Sequence, residues 1–419
     1  MDSKHTPIES LKINGIQLIS QIEQLGLIGM DLPSQGRTRI ALTGAEKLGR
    51  DLVVSWMKEL DLDVTIDRVG NILGTLAAKP GCEGNGTIMM GSHIDTVTNA
   101  GALDGCYGVL SGLAVIRSFN DAGIKPNFNI TVAAFTNEEG VRYQPDMMGS
   151  LAYSGSISVD TVLKTRGTDG TVFGEELERI GYAGTESVGA IVPKFYLELH
   201  IEQGPILESE NLDIGVVTDL QGISWQKVTI EGKANHAGTT PIHLRADAGF
   251  AAASVVSFLR EYTKDNPTTL ATVGSLNLKP NVINVIPRYA ELTIDIRDPD
   301  ERRLRNAEQA LSMYMKTLES DEGVSIHSEV LARFEPVKFD NFLAEKIKQS
   351  AVSRNLSYRL MTSGAGHDAQ MISKIAPSAM IFVPSRGGVS HNPAEYTENT
   401  QLLQGAEVLL ETLCRVMFD

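Results

Sequence analysis

Apolar residues recur at helical spacing between residues 8 and 27, at Leu11, Leu18, Ile22 and Leu25, which predicts an amphipathic helix. Thr43 with Glu46 forms a capping-box pattern ahead of a second helix, whose inner face reads Leu48, Leu52, Val53, Trp56 and Leu60. Asp63 to Asp67 and Asn71 to Ala77 read as strands, and the glycine-rich stretch Lys79 to Gly86 as a loop. Ile88, Met89 and Met90 then form a short apolar run that breaks into Gly91, the pattern of a buried strand. A helix over Tyr107 to Phe119 and a strand over Ile130 to Phe135 come next. The alternation continues through Glu175 to Ile180 and the strand Phe195 to Leu199. Strand and helix in turn predict an α/β fold, a mixed sheet with a largely parallel centre.

After about Thr218 the rhythm changes to strand Trp225 to Glu231, helix Ala246 to Tyr262, strand Ala271 to Leu278, strand Tyr289 to Arg297, helix Glu301 to Leu318 and strand Val324 to Leu331. That order, βαββαβ, is the ferredoxin-like split unit, which forms a module by itself. The chain then returns to a helix over Phe342 to Arg354, strands flanking a loop with His367, a loop with His391, and a helix from about Thr400 to Val416. The expectation is two domains: a first built from residues 1–216 and 332–419, and a second inserted at 217–331.

Composition narrows the partners. With 42% hydrophobic and 21% charged residues the chain reads as an ordinary globular protein, and its net charge of −15 argues against nucleic acid or an anionic membrane surface. The start of the chain lacks the continuous apolar core of a signal peptide, and the apolar-rich stretch Gly249 to Leu259 is too short to span a bilayer. Cys82, Cys106 and Cys414 are scattered without metal-like spacing, which makes a reducing cytoplasm the simplest address. Cys106 reads as a small buried residue at a helix start rather than a nucleophile.

The chemistry concentrates where strands end. His93 closes the Ile88 strand, His200 the Phe195 strand, and His391 lies in the loop after Ala379 to Val383; open α/β sheets keep their ligand crevices at such ends. Asp95, two residues beyond His93, is placed to hold the other ring nitrogen of that histidine from the second shell. Asp104 follows on the loop that opens a helix, and Glu138 and Glu139 point to different sides if the backbone stays extended, so that one can bind metal while the other faces substrate. His93, Asp104, Glu139, His200 and His391 read as a site for two borderline divalent ions, with Asp104 bridging; without nearby cysteine, a closed structural zinc site is disfavoured. Gly364 to Ala369 fits a loose dinucleotide pattern, but His367 and Asp368 crowd the place of a pyrophosphate. No Gly-x-Ser-x-Gly elbow, P-loop or His-Glu-x-x-His is present.

The segments Gly91-Ser-His-Ile-Asp-Thr-Val97, Phe135-Thr-Asn-Glu-Glu-Gly140, Leu197-Glu-Leu-His-Ile-Glu-Gln-Gly204, Ala234-Asn-His-Ala-Gly238, Asn284-Val-Ile-Pro287, Ser363-Gly-Ala-Gly-His-Asp368 and Val389-Ser-His-Asn-Pro393 resemble, in order, the hydantoinase/carbamoylase amidohydrolases of the zinc aminopeptidase-like superfamily. The resemblance implies a mixed-sheet catalytic domain, an inserted lid and dimerisation domain, and two divalent ions, zinc foremost, with manganese and cobalt as alternatives. It implies a homodimer in which His236 serves the partner's metals. It also implies Asn284 and Arg297 as holders of a substrate carboxylate, and Gln203, His236, Gly366 and His367 as further substrate contacts. From local sequence alone, Arg297 pairing with Asp295 or Asp298 is an equal alternative. The implied reaction is hydrolysis of the terminal amide of an N-carbamoyl acid, with Glu138 as general base and His236 stabilising the oxyanion. N-carbamoyl-L-amino acids, 3-ureidopropionate, allantoate and ureidoglycolate remain open as substrates, and a peptidase or aminoacylase of the same superfamily is the rival.

Overall fold

The computed structural model describes residues 11–418. The first helix spans Gly15–Leu27 and buries Leu18, Ile22 and Leu25; the Asn14 side chain caps it by accepting from the Gln17 amide. The part of the predicted helix at residues 8–10 lies outside the described residues. Helix Gly44–Glu59 starts on the expected cap, the Thr43 hydroxyl accepting from the Glu46 amide at 3.3 Å. The Glu46 carboxylate reaches back to the Leu42 amide at 3.2 Å, one residue earlier than in the usual box. Of the predicted inner face of this helix, Val53, Trp56 and Leu60 are buried and Leu52 is half-buried, and only Leu48 departs from it. Leu48 is 58% exposed, while Gly49, Arg50, Val53, Trp56 and Met57 are buried. Gly49 meets the fully buried Arg39 side chain so closely that a Cβ there would lie 2.8 Å from its Cδ, and bringing that stripe inward swings Leu48 out.

The chain divides into two compact units, one built from the segments up to Thr218 and from Phe339 onward, the other Asp219–Lys338. In the first, strands Asn129–Phe135, Thr87–His93, Phe195–Ile201 and Ser378–Val383 lie side by side and parallel. Antiparallel strands flank them, Ile72–Leu76 and Asp63–Ile66 on one side and Ile214–Leu220 on the other. The central strands are buried almost throughout, as parallel strands covered on both faces must be, so their sequences read as continuous apolar runs rather than alternations. Helices Cys106–Asp121 and Asn399–Phe418 contribute Leu110, Leu113, Val408 and Leu409 to the core under this sheet. Register pairs His93 with Phe135 and His200 with Phe382, so both histidines stand at the carboxyl edge of the parallel strands.

The second unit runs strand Gly222–Glu231, helix Ala248–Asp265, strands Leu270–Lys279 and Tyr289–Asp298, helix Glu301–Glu322 and strand Ser325–Phe334. Its four strands form an antiparallel sheet. Val228, Ile230, Leu292 and Ile294 pack against Val255, Leu304 and Leu311 of the two helices. The last strand passes the predicted end at Leu331 and continues to Phe334, held by pairing of Ala332, Arg333 and Phe334 with Trp225, Ser224 and Ile223.

Candidate active site

His93 is 2% exposed and its Nδ1 bonds the backbone carbonyl of Asp95 at 3.0 Å. That bond leaves Nε2 free to face inward, 3.6 Å from Asp104 Oδ1 and 3.4 Å from Glu138 Oε2. His200 is oriented the same way: Nδ1 bonds the Ile201 carbonyl at 2.8 Å and Nε2 lies 3.0 Å from Asp104 Oδ1. On the other side of Asp104, His391 Nε2 lies 3.1 Å from Oδ2 and 3.4 Å from Glu139 Oε2. The donor atoms of His93, Asp104 and His200, and those of Asp104, Glu139 and His391, each lie within 4.8 Å of one another. Asp104 belongs to both groups.

Asp95 does turn back to the other ring nitrogen of His93, through its backbone carbonyl rather than its carboxylate. Its carboxylate is 3.7 Å from the His93 ring nitrogen, and the backbone carbonyl makes the bond to that ring. The carboxylate instead accepts the Glu138 and Glu139 amides, each at 3.2 Å. This clamp holds the acidic pair beside the His93 loop, and Asn137, at a φ of 56°, supplies the bend before it. Glu138 then faces the His93 side and Glu139 the His391 side.

Sequence reasoning missed Glu395, which no motif singled out. It is 8% exposed; its Oε1 accepts the Leu103 amide at 2.8 Å and the Asp104 amide at 3.3 Å, and its Oε2 accepts the Ser390 hydroxyl at 3.0 Å. One carboxylate thus ties the Asp104 loop to the His391 loop, although almost three hundred residues separate them in sequence. The available signal was its place four residues after His391, in Asn392-Pro-Ala-Glu395. Gln203 donates Nε2 to Asp104 Oδ2 at 2.9 Å and to Ser390 Oγ at 3.2 Å, while its buried Oε1 has no partner among the described residues.

A cavity of about 160 Å³ is lined by Asp104, Glu138, Glu139, Asp146, Gln203, Ala365, Gly366, His367 and His391, with carboxylates and no lysine or arginine. Burial and the nearby Asp104 push Glu139 up to about 8, and burial raises Glu138 well above the usual carboxylate range. Burial opposes charge on His93 as well, yet the surrounding Glu138, Asp104 and Asp95 hold it well above a free imidazole. So many carboxylates, with imidazoles and no lysine or arginine in the lining, form the donor set that divalent cations take. His367 is buried, edge-on to His200 with ring centroids 4.5 Å apart, and its Nε2 bonds Ser363 Oγ at 3.1 Å. Burial, then the charge of His200, lowers its pKa well below the usual value, so it enters the cavity as a neutral ring.

The remaining predicted contacts belong to the second unit. His236 bridges to Val285, and the Ala237 amide bonds the Asn284 carbonyl at 3.0 Å, which brings the His236 and Asn284 loops together. Both side chains are exposed. Arg297 is engaged as the alternative reading foresaw, Nε lying 3.0 Å and Nη2 2.8 Å from the Asp295 carboxylate. Cys106 is buried and receives Arg39 Nη2 at 2.9 Å, as befits a packed residue at a helix start. No helix among the described residues is long and apolar enough to cross a membrane.

Known proteins match this chain over nearly its whole length. Residues 89–415 match peptidase family M20/M25/M40. An N-carbamoyl-L-amino-acid amidohydrolase of Rhizobium meliloti is 37% identical over 97% of this chain and 97% of its own. One from Geobacillus stearothermophilus is also 37% identical, over 96% of this chain and 98% of its own. A crystal structure of an amidase of the hydantoinase/carbamoylase family from Burkholderia multivorans superimposes with a TM-score of 0.94 at 39% identity, covering 98% of this chain and 99% of that one. The chain is a hydrolase of peptidase family M20/M25/M40, in its hydantoinase/carbamoylase branch.

Proposed function

We propose that the protein hydrolyses the terminal amide of an N-carbamoyl amino acid, releasing ammonia and a carbamate that decomposes to carbon dioxide and the amino acid. The observation that carries this reading is the pair of donor groups sharing Asp104, with Glu138 left over beside them. His93 and His200 with Asp104, and Glu139 and His391 with Asp104, would hold two divalent ions. When bound, such ions polarise a ureido carbonyl, a poor electrophile because both its nitrogens donate into it, and acidify water. Glu138 takes the proton of the attacking water and delivers it to the departing nitrogen, from a buried position 3.4 Å from His93 Nε2 and outside both donor groups. Gln203 orients the substrate through its unpartnered Oε1, and the neutral His367 and Gly366 line the same cavity.

In this proposal the second unit is a ferredoxin-like lid that also forms a homodimer. Arg297 and Asn284 hold the substrate carboxylate there, and His236 stabilises the oxyanion in the partner's pocket. An arginine fork matches a carboxylate with two parallel bonds. Closure would couple carboxylate recognition to completion of the site. Among ureido acids, N-carbamoyl-L-amino acids and 3-ureidopropionate lead, ahead of allantoate and ureidoglycolate. The test is an ammonia-release screen over these four substrates, with zinc, manganese or cobalt restored in turn to the metal-stripped protein. Ammonia from a ureido acid supports the reading; turnover only of N-acyl amino acids or peptides replaces it with an acylase or peptidase.

A further inference from the structure

Asp146 carries no part in the chemistry above, yet it lines the same cavity as Asp104, Glu138 and Glu139. Its backbone is braced. The Met147 amide bonds the Glu138 carbonyl at 2.7 Å, and the Met148 amide bonds the Asn137 carbonyl at 3.2 Å. Asn137 Nδ2 donates to the Tyr143 carbonyl at 2.9 Å. Gly140, at a φ of +63°, approaches so closely that a Cβ there would lie 2.7 Å from the Asp146 Cα. The loop therefore holds Asp146 in one place on the cavity wall. Beyond its own backbone amide, its carboxylate has no hydrogen-bond or ion-pair partner among the described residues.

The cavity thus carries two acceptors without a side-chain partner among the described residues, the Asp146 carboxylate and the buried Gln203 Oε1 already assigned to substrate. Gln203 cannot be turned to hide its oxygen, because that would set a carbonyl against the Asp104 carboxylate that now accepts from Nε2. At about 160 Å³ the cavity takes one functional group rather than a whole amino acid. A group that suits spare acceptors is rich in N–H donors. A terminal ureido group brings a primary amide with two N–H bonds beside its secondary N–H, whereas an N-acyl or N-formyl group has only the secondary one.

We propose that Asp146 is a specificity-determining residue, its carboxylate accepting an N–H bond of the terminal ureido amide and so favouring ureido over acyl substrates. The inference rests on the ureido-hydrolase reading. A site built to receive a donor discriminates against an analogue lacking it, because the acceptor is left desolvated and unpaired.

The experiment compares an N-carbamoyl amino acid with its N-formyl counterpart in wild type, Asp146→Ala and Asp146→Asn, with metal content and thermal unfolding measured on each. The expected result is that Asp146→Ala lowers the ratio of the two kcat/KM values by roughly tenfold or more, the effect of one hydrogen bond to a charged group. Metal content stays at the wild-type level. Asp146→Asn, which keeps the size and one acceptor, falls between the two, and it carries the test if the alanine variant does not fold. An unchanged ratio overturns the proposal, as does loss of metal in Asp146→Asn. A wild type that releases ammonia from no ureido acid overturns the ureido reading and this inference together. A wild type that releases it with an Asp146-independent ratio overturns this inference alone.

Discussion

Glu138 and Glu139 are neighbours in sequence, and the Asp95 clamp on their amides sends one toward His93 and the other toward His391. Their replacements are therefore expected to fail in different ways. Glu138→Gln should keep its metal and lose at least roughly 100-fold in turnover, the contribution of a general base. Glu139→Gln should lose metal, and metal analysis of the two purified variants separates them; the reverse pattern would exchange their roles. Arg297 is the residue at which local sequence was most evenly balanced, and the structure shows its guanidinium on Asp295. If it also holds a substrate carboxylate, Arg297→Lys should lower the specificity constant sharply, since a lysine keeps the charge but not the planar fork. Equal specificity constants for wild type and variant on every ureido acid would leave Arg297 with a structural part rather than a substrate-binding one.

Between elements, the joints are buried polar side chains. Arg39 donates Nε to the Ile94 carbonyl at 2.7 Å and Nη1 to the Leu25 and Ile28 carbonyls, each at 3.0 Å, tying the end of the first helix to the loop that follows His93. Arg39→Met would fill similar space and strand those carbonyls. A loss of roughly 3 kcal/mol or more in urea unfolding is expected, since each buried unpaired group costs about 1–3 kcal/mol; a loss below about 1 kcal/mol would mean that the joint is held elsewhere. Such joints leave little trace in sequence. The spacing of apolar residues predicted helix Gly44–Glu59, its cap and the burial of Val53, Trp56 and Leu60, but not that Gly49 packs on the buried Arg39 while Leu48 goes to solvent.

For the whole molecule, the proposed sharing of His236 between subunits has a direct test. Inactive Glu138→Gln subunits mixed with inactive His236→Ala subunits would form dimers with one doubly impaired site and one intact site. Activity recovered toward half of the wild-type value per mixed dimer supports sharing; no recovery, with subunit exchange confirmed by mass spectrometry, refutes it. Metal removal is expected to lower the thermal midpoint of the wild type, because a ligand bound only by the folded state stabilises it. Glu139→Gln should show a smaller difference between stripped and metal-loaded protein.

Sequence by itself determined the elements and the chemical types. Largely apolar runs ending in His93, His200 and Glu138-Glu139 announce buried parallel strands that deliver polar groups at one edge, because strands covered on both faces are apolar along most of their length. The tertiary structure decided which groups meet. That His391 lies 3.1 Å from Asp104, that Glu395 ties their loops, that the Asp95 carboxylate clamps amides rather than an imidazole, and that Asp146 joins the cavity all depend on contacts between distant segments. The local pattern records whether a residue is buried, while partner and direction are set by register, by loop closure and by the single bond angle at which a buried polar group finds its donor.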